Sequence, residues 1–200
     1  MTGQGIRSFE LEEYNRREIL RYAQSPGCTD EGMLAVMEEC IKECEDASAF
    51  SGRVSYTHLP ILSLDTKTGV VDLELMKLES RSLAGNLDGC REVVVFAATV
   101  GPTIDRMIRK YNKLDPVKAL FMQALGAERV ETLCNMFCAS FPNKMRPRFS
   151  PGFGDLSLEI QPQVLAVTNA RKNLAITLDA GFLMSPSKSV TAFVGIDGDK

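Results

Sequence analysis

The run Val93-Val-Val-Phe-Ala-Ala98 contains no polar residue. A strand with one wet face alternates apolar and polar side chains, so an unbroken apolar run reads as a central strand buried on both faces. It is far too short to cross a bilayer, which takes roughly 18 apolar residues, and no other stretch approaches that length.

Around this strand the chain divides into recognisable elements. Asn15 with Glu18 three residues later resembles a capping box and predicts a helix to about Ala23. The Ser25-Pro26-Gly27 group breaks it, and a longer helix from about Thr29 to Ala47 places Leu34, Met37, Ile41 and Cys44 on one face. Val54 to Leu64 reads as one strand or two, bent at Pro60, and Asp65-Thr-Lys-Thr-Gly69 as a turn. Val71, Leu73 and Leu75 alternate with Asp72 and Glu74 as in a half-exposed strand. Short helices are expected at Ser82–Asn86 and Thr103–Tyr111. Asp115-Pro116 supplies an N-cap and a first-turn proline, and the helix it starts reaches about Ser140. A proline- and glycine-rich loop, a helix at Gln161–Asn169 and strands at Leu174–Leu178 and Val190–Ile196 complete the reading. The order predicts an α+β (mixed α/β) protein. Residues 1–200 read as one domain with a helical segment over about 1–50.

The 44% hydrophobic and 24% charged content fits a soluble, packed domain; a net charge of −3 is too mild to steer the chain towards nucleic acid, and it shows no basic helix or RNA-binding signature. The polar start Met1-Thr-Gly-Gln-Gly5 lacks the apolar core of a secretory signal, which points to the cytoplasm. The six cysteines include Cys40/Cys44 and Cys134/Cys138, both i, i+4 pairs on helices rather than the short-loop pairs of common zinc sites. They read as small buried residues. The single histidine, His58, gives a Ser-His-Asp set little support.

Three features carry chemistry. Ala124, Ala127, Glu131, Cys134 and Cys138 follow the spacing of one helical strip, small except for Glu131, along which a ligand or backbone can approach. Glu131 is either a ligand-binding carboxylate or a solvated edge residue. The loop at 142–154 is stiffened by Pro142, Pro147 and Pro151, turns at Gly152 and Gly154, and carries Lys144, Arg146 and Arg148. It reads as a binding element for a small anion or as a basic connector. The third feature is Leu183-Met-Ser-Pro-Ser-Lys-Ser-Val190, which alone is a turn.

Taken in order, Asn15-Arg-Arg-Glu-Ile-Leu-Arg-Tyr22, Phe96-Ala-Ala-Thr-Val-Gly101, Arg148-Phe-Ser-Pro-Gly-Phe-Gly-Asp155 and Leu183–Val190 resemble the activation (reactivation) domain of vitamin B12-dependent methionine synthase, in its stand-alone form. The resemblance implies a mainly antiparallel twisted sheet wrapped by helices. It also implies an accessory component rather than an independent enzyme. Such a component binds S-adenosylmethionine and supports reductive methylation of cob(II)alamin on a partner cobalamin-dependent methionine synthase or related corrinoid protein, with flavodoxin or another reductant. Arg148 and Gly152 match the family's Arg-x-x-x-Gly-Tyr motif, and Glu131 matches a helical glutamate at the same site. The resemblance therefore assigns Glu131, Arg148, Pro151, Gly152 and Phe153 to the donor. Phe153 stands where the motif has tyrosine, and Asp179-Ala-Gly181 where relatives have a Thr-Glu-Ser-like run. The alternative is a docking module for a corrinoid protein that no longer binds the donor.

Overall fold

A computed structural model describes residues 3–197, so Met1 and Thr2 of the polar start, and residues 198–200 of the single-domain reading, lie outside the described residues. The fold is mixed α/β, a mostly antiparallel sheet flanked by helices. The elements are β1 (Gly3–Phe9), α1 (Arg16–Tyr22), α2 (Glu31–Asp46), β2 (Gly52–Asp65), β3 (Val70–Leu73), β4 (Met76–Glu79), α3 (Arg81–Asn86), β5 (Cys90–Thr99), α4 (Thr103–Leu114), α5 (Pro116–Ala139), α6 (Gln161–Val167), α7 (Ala170–Leu174), β6 (Thr177–Leu178), β7 (Met184–Ser185) and β8 (Ser189–Asp197). The main sheet runs β4-β3-β2-β5-β8, and β1 pairs with Gly52–His58 of β2 on the edge opposite β5.

The apolar run lies in β5, antiparallel between β2 and β8, and all six of its residues are fully buried. Its alternation divides the core. Val94, Phe96 and Ala98 join the cluster formed with α1, α2, α4 and α5, whereas Val93 and Val95 join Phe149, Val164 and Phe193 on the opposite face. Asp115 caps α5 as predicted, accepting from the Val117 and Lys118 amides at 3.0 and 3.1 Å. At α1 only half of the expected capping box forms, since Asn15 accepts from the Glu18 amide at 3.3 Å while the Glu18 carboxylate pairs with Arg21 and the Asn15 amide donates to Glu128.

Several expectations need correction. β1 precedes the two helices of the N-terminal segment; it is a polar edge strand, paired Gly3↔His58 through Phe9↔Gly52, without the apolar alternation that would reveal it. β2 passes through Pro60 as one strand, with a register shift between Ile61 and Ser63. Leu75 does not share the buried face of Val71 and Leu73, because the chain reverses into β4 at that point and leaves it 54% exposed. The strand expected at Leu174–Leu178 is only Thr177–Leu178. The rest is the end of α7 and Ala175, whose left-handed conformation interrupts both helix and strand.

Candidate functional site

α5 is buried almost all round and is the axis of the site. On the predicted strip Ala124 and Cys134 are buried, while Ala127, Glu131 and Cys138 are half-buried. The Glu131 carboxylate is held by Arg148, whose Nη2 donates to Oε2 at 2.6 Å. Neither of the two readings of Glu131 from spacing named this partner.

The placement of Arg148 follows from the backbone before and after it. The segment 144–149 runs along the free edge of β8. There the Arg146 amide donates to the Gly195 carbonyl at 2.8 Å, and Phe149 and Phe193 exchange amide–carbonyl bonds at 2.9 and 2.8 Å. Phe149 enters the core on the α3 and α6 side, so its neighbour Arg148 projects to the α5 side. Burial pushes the Cys134 thiol up to about 12 and raises that of Cys138, and the guanidinium opposes the rise at both. Arg148 is one-quarter exposed, yet its Nη1 is buried and has no hydrogen-bond partner. A charged donor in that position is costly unless something accepts from it.

The rest of the loop is fixed from outside. Gly152 has φ +85°, a conformation that side chains resist, and its amide donates to the Leu156 carbonyl at 2.8 Å. A side chain at Gly154 would meet Ser82, with a Cβ only 2.9 Å from its hydroxyl. Asp155 accepts from the Ser80 hydroxyl at 2.5 Å and from the Arg81 and Ser82 amides at 2.8 and 3.1 Å, which ties the loop to the start of α3. These donors, the Ser80 hydroxyl foremost, hold the Asp155 carboxyl well below the usual carboxylate range. Pro151 is buried, Gly152 is exposed, and Phe153 is 68% exposed, its ring edge-on to Phe149 at 5.5 Å. Arg148 and Glu131 are thus brought into contact, whereas Gly152 and Phe153 turn towards Leu158 and Phe149 on the α3 and α6 side.

The Ser-Pro-Ser-Lys segment, a turn by sequence, reaches the same helix. Ser187 donates to Asp105 of α4 through its amide at 2.8 Å and its hydroxyl at 2.5 Å. Lys188 donates to Gln123 Oε1 at 2.7 Å, and its stem crosses Gly126, where a Cβ would lie 2.8 Å from Lys188 Cγ. Burial lowers the pKa of its ammonium, against the pull of Asp105. Gln123, Ala127 and Glu131 recur every four residues, so Lys188 and Arg148 engage one face of α5 about 12 Å apart along its axis.

The sequence reading missed Glu128 and Arg129, each 2% exposed. Arg129 donates to both Glu128 oxygens, at 2.5 and 2.7 Å, and to the Glu12 and Glu13 carbonyls at 2.6 and 3.1 Å. Its guanidinium lies over the Tyr14 ring at 4.1 Å. An adjacent acid and base within a helix normally reads as a solvated edge. The signal available was that apolar residues flank the pair on both sides. Among the described residues, no group of three or more His, Cys, Asp or Glu is placed to hold a metal ion, and no helix is long and apolar enough to cross a membrane.

The sequence matches no family model and no curated protein. The fold does have a solved counterpart. It is similar to the crystal structure of the MetH reactivation domain bound to AdoHcy, with a TM-score of 0.73 over 99% of this chain and 79% of that one, at 10% sequence identity. At that identity the likeness establishes a shared fold.

Proposed function

We propose that this chain binds S-adenosylmethionine on the α5 face between Glu131 and the Arg148–Phe153 loop. In this role it presents the donor to a cobalamin carried by a partner methionine synthase or related corrinoid protein, with flavodoxin or another reductant supplying the electron. The observation that carries the reading is the unpaired, buried Nη1 of Arg148 beside the Glu131 carboxylate. The amino-acid end of the donor is a zwitterion: its carboxylate suits Nη1, and its ammonium suits Glu131. That arrangement satisfies a donor the free protein leaves without an acceptor. The reactivation-domain fold and the motif at Arg148–Phe153 support the same assignment. Bound at this site, the donor supplies a sulfonium methyl group. The protein contributes position, through a loop held rigid by Gly152, Pro151 and the Asp155 clamp, and Phe153 offers a ring at its rim.

Calorimetric titration with S-adenosylmethionine tests this. Saturable binding is expected, and Arg148→Ala should weaken it roughly tenfold or more, the value of a lost charged hydrogen bond. No heat at millimolar donor, or an Arg148→Ala variant that binds as well as the parent, would refute the site. The exposed Phe153 ring, which lacks a hydroxyl, favours a second reading: a docking module for a corrinoid protein without donor binding. Failure of the titration together with retained binding to that protein would select it.

A further inference from the structure

A cavity of about 580 Å3 opens on the other face of the sheet, lined by Leu165, Ala166, Ile176 and Leu178 together with Arg171 and Lys172. It lies away from Glu131 and Arg148. Ala97 of β5 points towards it, within a small cluster of Leu165, Ala170, Leu174 and Ile176, whereas its neighbours Phe96 and Ala98 point towards α5. Two of the five buried residues in that cluster are alanines, so little side-chain volume fills the space under α6 and α7. The fully buried Ile176 and the nearly buried Leu165 give the cavity an apolar floor.

Its charge is one-sided. Arg171 and Lys172 are both exposed, neither side chain has a hydrogen bond or ion pair among the described residues, and no carboxylate lines the cavity. Two adjacent cations therefore stand at one apolar opening with no acid beside them. The backbone around them is unusual as well: Asn169 and Ala175, on either side of α7, both adopt left-handed conformations, at φ 51° and 57°. Asparagine tolerates that region and alanine does not, and such conformations concentrate where a backbone is held for binding. An apolar hollow with a few convergent polar groups, of a size in the usual range of about 300–1,000 Å3, is the form of a small-molecule site.

We propose that this cavity binds a small amphiphilic anion, with an aromatic or medium-chain apolar body against Leu165, Ile176 and Leu178 and a carboxylate, sulfonate or phosphate at Arg171 and Lys172. The site is independent of the donor site and stands whether or not that reading holds. Titration with 8-anilinonaphthalene-1-sulfonate, followed by its fluorescence, tests it on the full chain. The expected result is one saturable site from which octanoate displaces the dye. Arg171→Ala with Lys172→Ala should weaken binding about tenfold or more, as expected for lost charge-assisted contacts. Ala166→Trp, an exposed position at the cavity wall, should abolish it without lowering the melting temperature. A dye signal indifferent to both variants, a signal octanoate does not displace, or displacement by S-adenosylmethionine would overturn the proposal.

Discussion

Arg148 and Asp155 stand seven residues apart in one loop and do opposite things. Arg148 keeps a buried donor without an acceptor, which is a cost in the free protein and an opening for an anion. Asp155 is the reverse: three donors converge on its carboxylate and anchor the loop to α3. Because its folded pKa is depressed, Asp155 stabilises the fold fully above the ordinary carboxylate range of about 4, and that contribution is lost as the pH falls through the folded value. Thermal unfolding of the parent and Asp155→Asn between pH 7 and pH 3 should therefore show the variant less stable at neutral pH, with a gap that holds to about pH 4 and begins to narrow below it. A gap constant across that range would mean that the carboxylate charge contributes nothing.

At the scale of elements, α5 organises the molecule, and the sequence marks it well at its start and poorly along its length. Asp115-Pro116 is legible because a cap and a proline act locally. Glu131 was legible as an anomaly on a small-residue strip, but spacing did not name its partner; only the family resemblance put Arg148 at the same site, since Arg148 arrives from an edge alignment along β8 that no local pattern encodes. β1 was invisible for a related reason: a polar edge strand owes its state to pairing with β2 rather than to its own alternation. Ala175 shows local preference overridden, as an alanine held left-handed where the sequence reads as strand. The Glu128–Arg129 pair is the strongest such override, because it fastens residues 12–15 to α5 through the Glu12 and Glu13 carbonyls and the Asn15 amide. Arg129→Met leaves Glu128 buried without its cation and should lose about 3–5 kcal/mol in urea unfolding. Glu128→Leu combined with Arg129→Met should lose much less. Equal losses in the two would show that packing, rather than the unpaired charge, sets the cost.

For the whole molecule, the sheet separates two surfaces of different character. On the α5 side, Lys188 and Arg148 approach one helical face. On the other, Arg171 and Lys172 flank an apolar cavity. The first surface carries the proposed reactivation role, and the fold shared with the MetH reactivation domain bound to AdoHcy is the scaffold that would present it. The most direct test combines this chain with a cobalamin-loaded methionine synthase lacking its own activation domain, a reductant, and S-adenosylmethionine labelled in the methyl group. The account predicts label on the synthase's cobalamin only when this chain is present, and its loss with Arg148→Ala. Label that appears equally without the chain, or that is unchanged by Arg148→Ala, would contradict it.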